Sequence, residues 1–132
     1  MALAERSGHG RILVVDDSSL IRLYYQDALE KAGFDVKQAI NGIEAIEKVL
    51  ADDFDLLVVD VNMPGMDGFS FIRELRRRSE DIAALPVLMI TTEAGEQDFA
   101  DARDAGANYY LVKPVSEADL VAHVSALAGA AS

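Results

Sequence analysis

The sequence predicts an α/β fold: a doubly wound parallel sheet of five strands, with five helices distributed over its two faces. Two observations carry this expectation. Four short, branched apolar runs, residues 12–15, 56–59, 87–90 and 109–112, are of strand length and apolar at nearly every position, as strands covered on both faces must be. Between them lie segments whose apolar residues recur at helical spacing. Strand and helix therefore alternate, which calls for parallel strands joined by right-handed crossovers.

Taken in order, the run ILVV at 12–15 starts the sheet. The first helix follows, with Ile21, Tyr24, Tyr25, Ala28, Leu29 and Ala32 at i, i+3, i+4 spacing and Gly33 placed to end it. Residues 35–39 alternate in polarity, which suits a more exposed strand near an edge. A second helix is expected over 42–50, with Asn41 as N-cap and Ile43, Ala45, Ile46 and Val49 facing inward. The strand at 56–59 precedes a third helix over 69–78, packed through Phe69, Ile72, Leu75 and the Arg76 stem. After the strand at 87–90 comes a fourth helix over 97–105, the least apolar and the shortest, expected to be the loosest. The strand at 109–112 leads to a last helix, with Ser116 as N-cap, Asp119 three residues on, and Leu120, Val121, Val124 and Leu127 inward.

At 132 residues the chain has the size of one domain, expected over 11–128, with a flexible N-terminal tail at 1–10 and a C-terminal tail at 129–132. Its apolar runs are far shorter than the ~20 residues of a membrane helix. The opening MALAERSGHGR does not resemble a signal peptide, so a cytoplasmic location is expected. The absence of cysteine excludes disulfides, thiol catalysis and cysteine-based zinc sites. A net charge of −11 argues against nonspecific binding to nucleic acid or anionic lipid. The one basic cluster, Arg73, Arg76, Arg77 and Arg78, reads as a solvated helix face rather than a docking patch.

In a doubly wound sheet, ligands bind beyond the carboxyl ends of the strands. Asp16 and Asp17 follow the first run, Asp60 ends the run LLVV, Thr91 and Thr92 follow VLMI, and Lys113-Pro114 follows the last strand. Each has an ordinary reading alone: Asp17 or Ser18 as a helix cap, Thr91 as a β-branched strand residue, Lys113 as a loop charge. Chance rarely places all of them at the ends of four strands. Carboxylates brought together repel one another, and a divalent cation relieves that repulsion. Hard oxygen ligands, few and partly open to water, favour Mg²⁺, with Mn²⁺ as the alternative.

Other motifs fail on inspection. DVNMPGMDG is not a calcium loop, because Pro64 occupies a ligand position and Phe71 the place of the closing glutamate. Gly8-His9-Gly10 precedes a strand rather than following one, so it is not a dinucleotide loop. Asp16-Asp17 would repel the phosphate of a flavin. His123 reads as a partly exposed helix position.

The segments ILVVDDSSLIR, LLVVDVNMPGMDGF, PVLMITTEA and GANYYLVKP, in this order, closely resemble the receiver domain of two-component response regulators, particularly the stand-alone chemotaxis type. The resemblance covers about residues 10–127. It implies a flavodoxin-like strand order of 2-1-3-4-5 and a phosphoacceptor signalling protein of the phosphorelay kind, which catalyses only its own phosphotransfer and dephosphorylation. Asp60 would accept the phosphoryl group from a histidine kinase, a phosphotransfer protein or a small donor. Asp17, Asp60 and the Asn62 carbonyl would hold Mg²⁺, with Asp16 acting through a water. Lys113 would neutralise developing charge, Thr91 would bind the phosphoryl group, and Tyr110 would rotate with it. A downstream protein would then read the face of the fourth helix, fifth strand and fifth helix.

The resemblance also implies a cis peptide at Lys113-Pro114, and modulation of phosphoryl lifetime by Asn62, Glu93 and Thr92. Thr92 departs from the small residue common at its position and would narrow access. Because the chain ends in AGAAS soon after the last helix, output through a noncovalent partner is expected. Two competing classes are weaker. An aspartyl phosphatase of the haloacid dehalogenase type would need a second aspartate at Asn62, and a degenerate receiver would lack the key polar residues present here.

Overall fold

The structure, a computed structural model, describes residues 10–61, 67–92 and 95–129. The expected tails, 1–10 and 129–132, lie outside the described residues except at Gly10 and Gly129. Five parallel strands, β1 (Arg11–Val15), β2 (Asp35–Ala39), β3 (Leu56–Asp60), β4 (Val87–Thr91) and β5 (Tyr109–Val112), form one sheet in the order β2-β1-β3-β4-β5. Among the described residues six helices connect and flank them: α1 (Ser19–Lys31), α2 (Gly42–Ala51), α3 (Gly68–Arg76), α4 (Glu80–Ala83), α5 (Glu96–Ala105) and α6 (Glu117–Gly129). The short α4 was not expected. It buries none of its residues and so leaves no apolar period in the sequence.

The continuous apolar runs are explained by two cores, one on each face. Ile12, Val14, Leu56, Val58, Leu88 and Ile90 pack with Tyr25, Leu29, Leu120 and Val124 of α1 and α6. Their sequence neighbours Leu13, Val15, Leu57, Val59, Val87 and Met89 turn to the other side, against Ala45, Val49, Phe71, Ile72, Leu75 and Ala102 of α2, α3 and α5. Alternate side chains of a strand point to opposite faces, so a strand covered twice needs an apolar residue at every step. β2, with Asp35 and Lys37 exposed, is an edge, as its polarity predicts.

The helix starts follow the expected chemistry. Asn41 Oδ1 accepts from Glu44 N–H, Asp67 Oδ1 from Ser70 N–H, and Ser116 Oγ from Asp119 N–H, each satisfying an N-terminal donor. Two inward assignments are corrected. Ile43 is exposed because it lies on the outward side of α2 with Glu47 and Leu50, whereas Gly42, Ala45, Ile46 and Val49 are buried, and Tyr24 lies at the margin of the α1 interface. Phe69 packs partly buried against the core as expected, and Phe71 joins it as the fully buried aromatic of α3. Nor is α5 the shortest: at 10 residues it matches α2 and exceeds α3, although it buries only Ala102 and Ala105.

The basic cluster also needs correction. Arg76 is half-buried and donates to the carbonyls of Ala83, Leu85 and Gly106 and to Asn108 Oδ1. Burial lowers its pKa from the usual arginine value. It is a structural clasp, whereas Arg77 and Arg78 only pair with Glu74 at the surface.

Candidate functional site

Register places the acidic residues. Ile12 pairs with Leu56 and Val14 with Val58, so the next step of the same parity brings Asp16 alongside Asp60, on the face covered by α1 and α6. Asp60 is the last residue of β3 and Asp16 the first after β1, so both stand where backbone pairing ends and side chains can converge. Asp16, Asp17 and Asp60 each offer a carboxylate oxygen within 4.8 Å of the others'. Asp16 and Asp60 are buried and Asp17 is exposed, which gives the cluster a closed floor and an open rim.

Lys113 is delivered from the opposite side. Its backbone N–H donates to the Thr91 carbonyl at 2.6 Å, continuing the β4–β5 pairing past Thr91 and Val112. From there its Nζ reaches Asp60 Oδ1 at 3.1 Å and lies 3.8 Å from Asp16 Oδ2. The Lys113-Pro114 peptide is cis, as expected. Thr91 is fully buried at the end of β4, while Thr92 is exposed beside it. Tyr110 is half-buried on β5, its ring edge-on to Phe99 of α5 with centroids 4.6 Å apart. His123 is a half-exposed helix residue against Tyr109. Asn62 and Glu93, assigned from the sequence to the metal site and its modulation, lie outside the described residues.

Two backbone features keep the floor in place. Ser18 caps α1, its hydroxyl accepting from Ile21 N–H, and its own N–H donates to Asp16 Oδ1 at 2.9 Å. Gly68 opens α3 directly against the chain after Asp60. A Cβ there would sit 2.7 Å from the Asp60 carbonyl oxygen and 2.8 Å from Val61 Cα, so only glycine permits this approach.

The electrostatics leave the site short of positive charge. Burial raises the Asp16 pKa above the ordinary carboxylate value; the Ser18 N–H and Lys113 oppose the rise, and Asp60 and Asp17 add to it. Asp16 Oδ2 is buried with no hydrogen-bond partner among the described residues. Burial likewise raises the pKa of Tyr25, on the inner face of α1, and Asp16 and Asp60 reinforce this. An orphaned buried oxygen beside two further carboxylates fits a hard divalent cation, which such oxygens coordinate. Sequence reasoning found this site but not the hydrogen bonds that two α1 side chains make behind it, Arg22 to the Asp16 carbonyl and Tyr24 to the Val115 carbonyl. No spacing signals them, because the acceptors are backbone carbonyls.

The response regulator receiver domain family matches residues 12–125. Chemotaxis protein CheY-3 of Vibrio cholerae is 40% identical over 111 residues, which cover 83% of this chain and 85% of that protein. The transcriptional regulatory protein ResD of Bacillus subtilis is 36% identical over 128 residues, and the chain spans 52% of its length. Among solved structures, CheY4 of Vibrio cholerae superposes with a TM-score of 0.84 at 35% identity, covering 89% of this chain and 97% of that one. The receiver domain of the Francisella response regulator 1452 gives 0.86 at 27% identity, covering 93% and 99%. The family match over most of the chain, the identity to CheY-3 and the shared fold show that the chain belongs to the response regulator receiver family of two-component signalling, in its CheY-like form.

Proposed function

We propose that this receiver takes a phosphoryl group onto the Asp60 carboxylate in a Mg²⁺-dependent reaction and thereby changes the surface it offers to a noncovalent protein partner. The observation that carries this reading is the position of Asp60: buried at the end of the central strand β3, grouped with Asp16 and Asp17, and 3.1 Å from the Lys113 ammonium. A carboxylate oxygen attacks the phosphorus of a phosphohistidine on a histidine kinase or phosphotransfer protein. The P–N bond breaks as the P–O bond forms, and the imidazole leaves with a proton. With acetyl phosphate the leaving group is acetate.

Asp16, Asp17 and Asp60, with the Asn62 carbonyl, would hold the cation, which when bound offsets negative charge on the transferring oxygens. Lys113 does the same from the other side through its ammonium. The protein's contribution is therefore positioning and electrostatics. Thr91, at the end of β4, would donate its hydroxyl to a phosphoryl oxygen. Tyr110 would then rotate inward from its contact with Phe99 and remodel the face of α5, β5 and α6, a population shift between two arrangements. Thr92 at the mouth, with Asn62 and Glu93, would set how long the phosphoryl group survives, and we expect a short lifetime. We take residues 11–128 as the functional unit and place it in the cytoplasm, upstream of a motor, kinase or relay protein. A chemotaxis role is suggested by the likeness to CheY-3.

The test is incubation with acetyl phosphate and Mg²⁺, comparing wild type with Asp60→Asn. Labelling of the wild type alone is expected. Equal labelling of both would remove Asp60 from the reaction.

A further inference from the structure

Two residues of α1 hold the two arms of the site, and neither belongs to the acidic cluster or to the Lys113 loop. Arg22 Nη1 donates to the Asp16 carbonyl oxygen at 2.6 Å, and its Nε donates to Gln38 Oε1 at 2.8 Å. Gln38 in turn bonds to Gln26, and Gln26 to Glu30. A polar chain thus fixes the guanidinium along the β2 edge and aims it at the backbone that carries Asp16 and Asp17. A planar guanidinium can bond two acceptors at once without rotating, which suits it to this bracing.

Tyr24, on the next part of the helix, reaches the other arm. Its hydroxyl donates to the Val115 carbonyl at 3.2 Å, two residues beyond Lys113, while its ring leans on Tyr25, centroids 5.7 Å apart. Val115 is itself buried in the α1–α6 core, so the chain leaving Lys113 is held at a point of low mobility. We propose that Arg22 and Tyr24 are positioning residues that make α1 a brace: Arg22 orients the carboxylates for the cation, and Tyr24 orients Lys113 toward Asp60.

The brace rests on the proposed function and gives each arm its own signature. Residues that orient metal ligands from behind typically change affinity by about 10-fold or more when removed. Arg22→Met should weaken Mg²⁺ binding about tenfold by titration calorimetry, yet leave labelling by acetyl phosphate near wild type once Mg²⁺ saturates. Arg22→Lys, which keeps a donor for the Asp16 carbonyl, should recover most of the affinity. Gln38→Leu, which loosens the guanidinium but keeps its donor to the Asp16 carbonyl, should weaken it by clearly less than Arg22→Met does. Tyr24→Phe should leave Mg²⁺ affinity unchanged and slow labelling at saturating Mg²⁺ about fivefold, the equivalent of one neutral hydrogen bond.

Thermal unfolding without Mg²⁺ confirms that each variant is folded. Wild-type affinity in folded Arg22→Met, or a wild-type rate in folded Tyr24→Phe, overturns the brace and leaves the proposed function standing. Gln38→Leu as weak as Arg22→Met overturns it also, because the Asp16 contact would then not be the cause. A wild type that neither binds Mg²⁺ nor takes label overturns the proposed function and the brace with it.

Discussion

Arg76, at the amino ends of β4 and β5, has all five of its N–H donors in hydrogen bonds of 2.6–3.1 Å to three carbonyls and the Asn108 side chain. Asp16, at the carboxyl end of β1, keeps one buried oxygen with no hydrogen-bond partner among the described residues. One charge is half-buried and the other buried, yet it is the half-buried one whose hydrogen-bonding groups are all satisfied. The same contrast holds among carboxylates. At the amino edge Asp35, Asp52 and Asp55 each meet Arg11, two through its guanidinium and one through its backbone N–H. At the carboxyl edge Asp16 and Asp60 share the one Lys113 ammonium, with Asp17 beside them. The amino edge is built for stability, and the carboxyl edge sacrifices some of it to leave room for a ligand.

The contrast sharpens under substitution. The largest effect should come from Arg76→Ala, which removes five hydrogen bonds at once, four of them part-buried. We expect a loss of about 2–4 kcal/mol in chemical denaturation, with Mg²⁺-dependent labelling retained in the folded fraction. Arg76→Lys should recover only part, since an ammonium cannot reproduce the guanidinium fork.

Adding Mg²⁺ should act at the opposite end and in the opposite direction. At 100 times its Kd a ligand bound only by the native state stabilises it by about 2.7 kcal/mol, which a thermal shift would read. Asp16→Asn should remove most of that gain by weakening the site. The same variant in the absence of Mg²⁺ should be more stable than wild type by about 1–3 kcal/mol, because a buried carboxylate short of partners becomes a neutral amide.

The pH dependence gives the sign a separate check. The folded pKa of Asp16 is raised above its unfolded value, chiefly by burial. Between the two values the folded state holds more protons, so the contribution is fully present below the unfolded pKa and is lost as pH rises through the folded one. Denaturation profiles without Mg²⁺ should show this decline in wild type and a flatter segment in Asp16→Asn. The smallest effect should be that of Arg11→Ala, whose partners are half exposed: we expect about 0.5–1 kcal/mol, diminishing with salt.

The two ends also differ in how legible they were. The carboxyl edge could be read because a charge that interrupts an apolar strand is conspicuous: Asp60 after LLVV and Asp16 after ILVV have no place in a core. The sheet itself was readable for the same reason, since strands buried on both faces carry no polar residue to confuse the period. The amino edge could not be read. Arg76 stands in the run RELRRR, indistinguishable by type from the exposed Arg77, and its acceptors are three backbone carbonyls and the Asn108 side chain, up to 32 residues away. Ile43 failed for a different reason: it stands at the boundary of the apolar stripe of α2, where it shares spacing both with the buried Ile46 and with the exposed Glu47 and Leu50.

The central claim is that Asp60 is a nucleophile held ready at the end of a buried strand. Its most direct test is to incubate the wild type with acetyl phosphate and Mg²⁺, reduce the product with borohydride to convert an aspartyl phosphate to homoserine, and locate the change by peptide mass. We expect homoserine at position 60 only, dependent on Mg²⁺ and absent from Asp60→Asn. Conversion at Asp16 or Asp17 instead, or none at position 60 in a folded, Mg²⁺-loaded protein, would contradict the claim.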